Sequence, residues 1–174
     1  MCAACRSEFD DPANRRFHAQ PNACPMCGPQ YRLVDRQGAT LPLESGQTVF
    51  GQARKLLQSG KILAIKGLGG FHLACDAKNE TAVATLRQRK IREDKPFAVM
   101  AGSLAAVRQC CLVSPAEQEL LAGSVRPILL LDKAAAYDLA DSVAPVNPRI
   151  GVMLAYTPLH ELLLAADDVG VMTG

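Results

Sequence analysis

Tryptophan is absent from the 174 residues, and aromatic side chains of every kind make up only 5% of them. The cation-rich stretch from Lys61 to Met100 contains, of these, only Phe71 and Phe97. That is too few for a platform on which single-stranded nucleic acid stacks. No apolar run approaches the eighteen or more residues of a membrane span. The N-terminus lacks the basic segment and apolar core of a secretory signal, so a cytoplasmic location is the expectation. There is no internal repeat and no low-complexity tract. The turn Gly67-Leu68-Gly69-Gly70 is not followed by Gly-Lys-Ser or Gly-Lys-Thr, which excludes a P-loop, and it lacks the six-residue spacing of a dinucleotide fingerprint.

The small net charge of +2 conceals an asymmetry. Residues 46–109 carry 11 cations and 4 anions, whereas residues 110–174 carry 3 and 8. An anionic partner belongs with the middle. Seven cysteines are an odd number for a disulfide framework. Four of them pair as Cys2-Ala-Ala-Cys5 and Cys24-Pro-Met-Cys27, which is zinc spacing. Four sulfurs leave no position for water, so the ion is structural, and Zn²⁺ must order a segment with too few apolar residues to hold itself. Gly28 is expected to supply a positive φ after the second pair. His18 lies between the pairs but is not needed as a ligand. Cys75, Cys110 and Cys111 sit among apolar neighbours and read as core residues.

The organisation follows: a four-cysteine zinc module over 1–36, a linker over 37–46 with a short strand at Tyr31–Val34 before it, and an α/β domain over 47–174. Its predicted elements are a helix from Gln47 to Ser59 closed by Gly60, strands at Lys61–Lys66 and Phe71–Cys75, and a helix capped by Asn79 that ends near Lys90. Strands follow at Phe97–Ala101, Pro127–Leu131 and Ile150–Leu154, with the second of these fully buried. Helices are predicted at Ser103–Gln109, from Ser114 to Ala122 behind a capping box, and from Thr157-Pro158 through Ala166; a last strand begins at Val169. Arg87, Arg89, Lys90, Arg92 and Lys95 put five cations into nine residues. Helix-dipole stabilisation accounts for the first three. Pro96 favours extended backbone before it, and in an extended segment Lys90 and Arg92 point to one side, as triphosphate binding requires. Lys66, at the end of a strand and before a glycine turn, is a fourth candidate cation. His72 and Asp76 are candidates for orienting a substrate or a metal.

Two runs carry a resemblance. Cys2-x-x-Cys5, Asp11-Pro12, Arg15-Arg16-Phe17-His18-Ala19-Gln20-Pro21 and Cys24-x-x-Cys27-Gly28-Pro29 resemble the second zinc finger of the hydrogenase-maturation carbamoyltransferases of the HypF family. Lys66-Gly67-Leu68-Gly69-Gly70-Phe71-His72-Leu73, Asp76-Ala77, Lys90-x-Arg92, Lys95-Pro96-Phe97-Ala98-Val99-Met100, Ile150–Leu154 and Tyr156-Thr157-Pro158-Leu159-His160 are similar to the YrdC-like domain of the same family. The resemblance implies a YrdC-like twisted mixed sheet with helices. It implies formation of carbamoyl adenylate from ATP, with Mg²⁺, and carbamate derived from carbamoyl phosphate. The carbamoyl group then passes to a HypE-type partner and becomes the cyanide ligand of [NiFe]-hydrogenase. In such domains Lys-x-Arg, here Lys90 and Arg92, binds the nucleotide phosphates with a later Ser-x-Asn element. The catalytic assignment it supports is Lys66, His72 and Asp76; the nucleotide-binding one is Lys66, Lys90, Arg92 and Lys95.

The sequence departs from the family where Ala155 replaces an expected proline and Glu161 an expected second histidine. It stops at Gly174 before the Ser-x-Asn element, so the expectation is a fragment that binds nucleotide weakly. Two other classes are compatible with the same residues. A zinc ribbon on a basic domain suits an RNA-binding or tRNA-modification module, and a docking segment between larger domains would bind neither ATP nor RNA.

Overall fold

A computed structural model describes residues 1–164 and 169–173. The chain divides into two compact units, Met1–Pro42 and Leu43–Gly174.

The first unit has one helix, α1 (Ala3–Asp10), with Cys2 at its N-cap. The first cysteine pair therefore lies on the first turn of a helix. Successive turns follow, closed by Asn14 N–H to Asp11 O, Phe17 N–H to Asn14 O and Ala19 N–H to Arg16 O. His18 takes a left-handed conformation (φ 52°) and stacks on Phe9 at 5.0 Å between ring centroids. The expected strand at Tyr31–Val34 reduces to a single bridge between Val34 and Thr40. Only Cys5 and Asn22 are buried in this unit.

In the second unit, β1 (Leu63–Lys66), β2 (Phe71–Asp76), β3 (Ala98–Ala101), β4 (Leu129–Asp132), β5 (Arg149–Leu154) and β6 (Val169–Thr173) form one sheet in the order β1-β2-β6-β3-β5-β4. All pairings are antiparallel except β3 with β5. The fold is α/β with a mixed sheet, as expected. Registers such as Val99 opposite Val152 and Leu131 opposite Ile150 place Cys75, Val99, Ala101, Leu131, Ile150, Val152 and Leu154 on one face. There they form one buried cluster with α3 (Glu80–Arg89), α4 (Leu104–Cys110), α5 (Pro115–Ala122) and residues 139–144. Cys75, Cys110 and Cys111 belong to this cluster, and burial pushes the Cys75 thiol up to about 12, so they are core residues. The opposite face carries His72 and Ala74, and His160 of α6 (Pro158–Leu163) meets it there.

The helix starts follow from their caps. Thr48 caps α2 (Val49–Gln58), Asn79 caps α3, Ser103 caps α4 and Thr157 caps α6, each accepting a backbone N–H three residues on. Ser114 and Glu117 form a capping box on α5. The last helix ends at Leu163, with Leu164 extended as its cap, short of the predicted end at Ala166, which lies outside the described residues. β4 corrects one expectation. It is an edge strand whose Leu131 side packs into the buried cluster, whereas Leu130, on the other face, is 69% exposed. A wholly apolar run marks a strand, but what packs on each face decides whether both are covered.

Candidate functional site

The four cysteine sulfurs of the first unit lie within 4.8 Å of one another, with Cys2–Cys24 and Cys5–Cys27 at 3.7 Å and Cys24–Cys27 at 3.8 Å. A tetrahedron with Zn–S bonds of about 2.3 Å has edges of about 3.8 Å, so the residues fit zinc. These separations are too long for disulfides. Burial, followed by the neighbouring thiols, pushes Cys5 up to about 12, while backbone N–H groups hold Cys27 down to about 6. A divalent cation resolves that imbalance by ionising all four. The Cys24 carbonyl accepts the N–H groups of Cys27 at 3.1 Å and Gly28 at 2.7 Å. A Cβ on Gly28 would stand 2.9 Å from that oxygen, and its φ is not positive. Space, not handedness, is what requires glycine there. Asn22 adds an amide N–H to the Cys5 carbonyl at 2.8 Å. His18 is not in the cluster. The four sulfurs hold a structural zinc.

The other sequence-predicted site residues fall in two places, the glycine corner and the cation loop. Gly67 N–H donates to Gly70 O at 2.7 Å, closing the turn between β1 and β2. A Cβ on Gly67 would come within 2.7 Å of the His72 ring, so this glycine lets the corner wrap the imidazole. His72 meets His160 edge-on at 6.2 Å between centroids, and His160 meets Tyr156 at 4.6 Å. His160 is wholly buried, and neither of its ring nitrogens has a partner among the described residues. Burial, then the nearby His72, lowers its pKa. Lys66 pairs in register with Phe71 and sits over its ring at 5.3 Å. Since His72 pairs with Ile65, Lys66 lies on the opposite face of the hairpin from His72. Asp76 shares the His72 face but lies four residues along β2, about 13 Å away. Its Oδ1 accepts the Lys78 N–H. The fold thus gathers His72, His160 and Tyr156, and separates Lys66 and Asp76 from that group.

The cation loop is not extended, contrary to expectation. Lys90 caps α3 in the helical region, and Ile91 is left-handed at φ 49°. Ile91 N–H bonds Gln88 O and Arg92 N–H bonds Arg87 O, the hydrogen-bond pair of a Schellman helix end. The helix itself ends where expected, at Arg89 with Lys90 as its cap. Arg92 turns back onto its own loop, with Nε to Lys95 O at 2.9 Å and Nη2 to Pro96 O at 2.6 Å, over the Phe97 ring at 4.9 Å. Lys95 is exposed. A cleft of about 760 Å³ is lined by Glu80, Thr81, Arg87, Ile91, Arg92 and Ser142, among others, but not by Lys66 or His72. Sequence reasoning gave Arg87 and His160 no separate role. The signals available were Glu80 and Arg87 seven apart on one helix face, and a histidine in the first turn behind Thr157-Pro158.

Comparison with known proteins agrees with the geometry. The HypF finger model matches residues 1–34, and the Sua5, YciO and YrdC model, described as telomere recombination, matches residues 55–173. The carbamoyltransferase HypF of Rhodobacter capsulatus is 52% identical over 174 residues, covering 99% of this chain and 22% of the relative. That of Synechocystis is 51% identical over 215 residues, covering 94% and 28%. A crystal structure of full-length HypF in a phosphate- and nucleotide-bound form superposes with TM-score 0.84 at 45% identity, over 99% of this chain and 22% of that one. Pyrococcus abyssi Sua5 with L-threonine shares only the fold, at TM-score 0.59 and 19% identity over 70% of this chain and 37% of that one. The chain spans about a quarter of the length of the curated relatives it matches. A four-cysteine cluster at zinc spacing and a YrdC-type mixed sheet thus follow one another as the matched models require, and the chain belongs to the Sua5/YciO/YrdC family, preceded by a HypF finger.

Proposed function

We propose that this chain is the part of a HypF-type carbamoyltransferase that activates carbamate with ATP, giving carbamoyl adenylate and pyrophosphate. Identity of 45% over 99% of this chain to a HypF observed with phosphate and nucleotide is the observation that carries the reading. The carbamate oxygen attacks the α-phosphorus, and charge develops on phosphoryl oxygens. Such a step needs positioning and cations more than a protein nucleophile. Lys90, Arg92 and Lys95 are the cations for the phosphates, with Lys66 approaching from the corner. Mg²⁺ enters with the triphosphate. His72, fixed by the corner and by His160, is the better placed of the two orienting candidates, and Asp76 is left for the metal or for its own turn. Carbamoyl phosphate as the source of carbamate, a HypE-type acceptor and a cytoplasmic setting belong to the same reading. Among the described residues no helix is long and apolar enough to cross a membrane.

Titration of ATP–Mg²⁺ into the chain and into the Lys90→Ala, Arg92→Ala double variant tests this. At least a tenfold loss of affinity in the variant is expected, corresponding to two charge-assisted contacts. Equal affinity in the two proteins would leave only a docking role.

A further inference from the structure

We propose that Arg87 is a positioning residue for the cation loop: its guanidinium is committed to backbone carbonyls, and by holding them it sets the path of residues 90–96 that presents Lys90, Arg92 and Lys95 to a phosphate-bearing ligand. The link to a ligand rests on the nucleotide reading above; the control of the loop does not.

Arg92 ties the loop to itself through Lys95 O and Pro96 O, and what remains is to fix the loop to the rest of the unit. Ile91, β-branched and left-handed, is a costly residue at a helix end, and its side chain is 86% exposed, so its own packing does not compensate. Arg87 is the residue that reaches every part of the turn. Its Nη1 donates to Arg92 O at 2.9 Å, Glu93 O at 3.0 Å and Lys95 O at 3.1 Å. Its Nε and Nη2 donate to Ser142 O at 3.0 and 2.5 Å, and Nη2 reaches Val143 O at 3.3 Å. Two segments about fifty residues apart are thereby clamped on one planar group. The Phe97 N–H donates to the same Val143 carbonyl at 2.8 Å, and the buried Phe97 ring lies beneath the guanidinium at 4.8 Å.

The far side of the clamp is fixed independently. Glu80, seven residues earlier on the same face of α3, accepts the Ser142 N–H at 3.3 Å and the Ser142 hydroxyl. Segment 142–143 is therefore tied to α3 at two points, and the loop is tied to that segment through Arg87. Only a guanidinium suits this role. Its donors diverge in one plane and can face two chain segments while the flat ion stacks on an aromatic ring. A lysine ammonium is a compact charge on a flexible stem and cannot span both. With its donors on carbonyls of two segments, Arg87 acts through the path it gives the loop that carries Lys90, Arg92 and Lys95.

Arg87→Lys keeps the charge and removes the fork. In native-state trypsin digestion, cleavage after Lys90 and Arg92 should accelerate at least tenfold relative to the wild type, while cleavage after Lys55 in α2 stays unchanged. ATP–Mg²⁺ affinity should fall at least tenfold, as for the Lys90→Ala, Arg92→Ala double variant. Wild-type cleavage rates in the variant, or an equal acceleration after Lys55, would overturn the inference, the latter by reducing Arg87 to a contributor to overall stability. An opened loop with unchanged ATP affinity would overturn the link to the ligand. Failure of the wild type to bind ATP would sink the proposed function and still leave the cleavage result to decide the role of Arg87. Should Arg87→Lys not fold, hydrogen exchange on the wild type decides: the Arg92 and Phe97 amides should be protected together with α3. Exchange as fast as the exposed Gln37 turn would sink the clamp.

Discussion

The two units of this chain are held together by opposite means. Residues 1–42 bury only Cys5 and Asn22, one of them a zinc ligand and the other a polar side chain hydrogen-bonded to that ligand's carbonyl. Residues 43–174 bury a continuous apolar cluster running from Cys75 to Leu154. A segment without apolar burial cannot offset the entropy of ordering its backbone, so its stability is that of its metal site, whereas the second unit is stabilised by area removed from water. Each unit should therefore fail under a treatment that spares the other.

The largest effect expected is on the first unit. A strong zinc chelator, or Cys5→Ala, should abolish its ordered state, since structural zinc contributes on the order of 10 kcal/mol of apparent folding free energy. Amide chemical shifts of residues 43–164 should stay in place, and their collapse on chelation would refute the independence of the two units. The converse is Leu86→Ala, which removes a fully buried side chain of α3. It should destabilise the second unit by about 2–5 kcal/mol in denaturant melts while leaving zinc affinity unaltered.

A smaller effect distinguishes the units by pH. Burial lowers the pKa of His160 below the unfolded value of about 6.5. As pH falls through that value the unfolded chain gains a proton that the folded one refuses, so stability present above it is lost below it, by at most about 1.4 kcal/mol per pH unit. His160→Phe should flatten the dependence of the second unit's melting midpoint between pH 6.5 and 5. An unchanged slope would mean that other groups carry it.

The smallest effect compares two helix ends inside the second unit. α2 and α3 close with the same hydrogen-bond pair, but the left-handed residue is Gly60 in one and Ile91 in the other. Gly60→Ala brings a Cβ to 3.1 Å from the Asn79 amide nitrogen at φ 79°, and should destabilise by about 1–2 kcal/mol. Ile91→Gly should stabilise by up to about 1 kcal/mol, the relief being partly offset by a more flexible unfolded chain. Destabilisation by Ile91→Gly in thermal melts would show that the isoleucine is not strained.

Much of this was readable from the residues. The zinc ligands, the helix starts at Thr48, Asn79, Ser103, Ser114 and Thr157, and the inward alternation of β2 follow from spacing and capping chemistry, which act over a few residues. What was misread lay where distant segments set the outcome. β4 looked buried, but only its Leu131 face packs into the core and Leu130 on the other face is exposed. The loop at Lys90–Lys95 looked extended because Pro96 speaks only for its immediate neighbour, while Arg87 reaches over to Ser142.

By itself, then, the sequence determined the metal-binding unit, the α/β character of the rest and the run of cations from Arg87 to Lys95, because ligand spacing, periodicity and charge are local properties. Only the tertiary structure decided that Lys66 and His72 face opposite ways, that His160 backs His72 from 88 residues away, and that Arg87 donates to carbonyls of its own loop and of Ser142. Those facts depend on register and on carbonyls brought in from another part of the chain, and a one-dimensional pattern does not encode which backbone oxygen a given guanidinium will find.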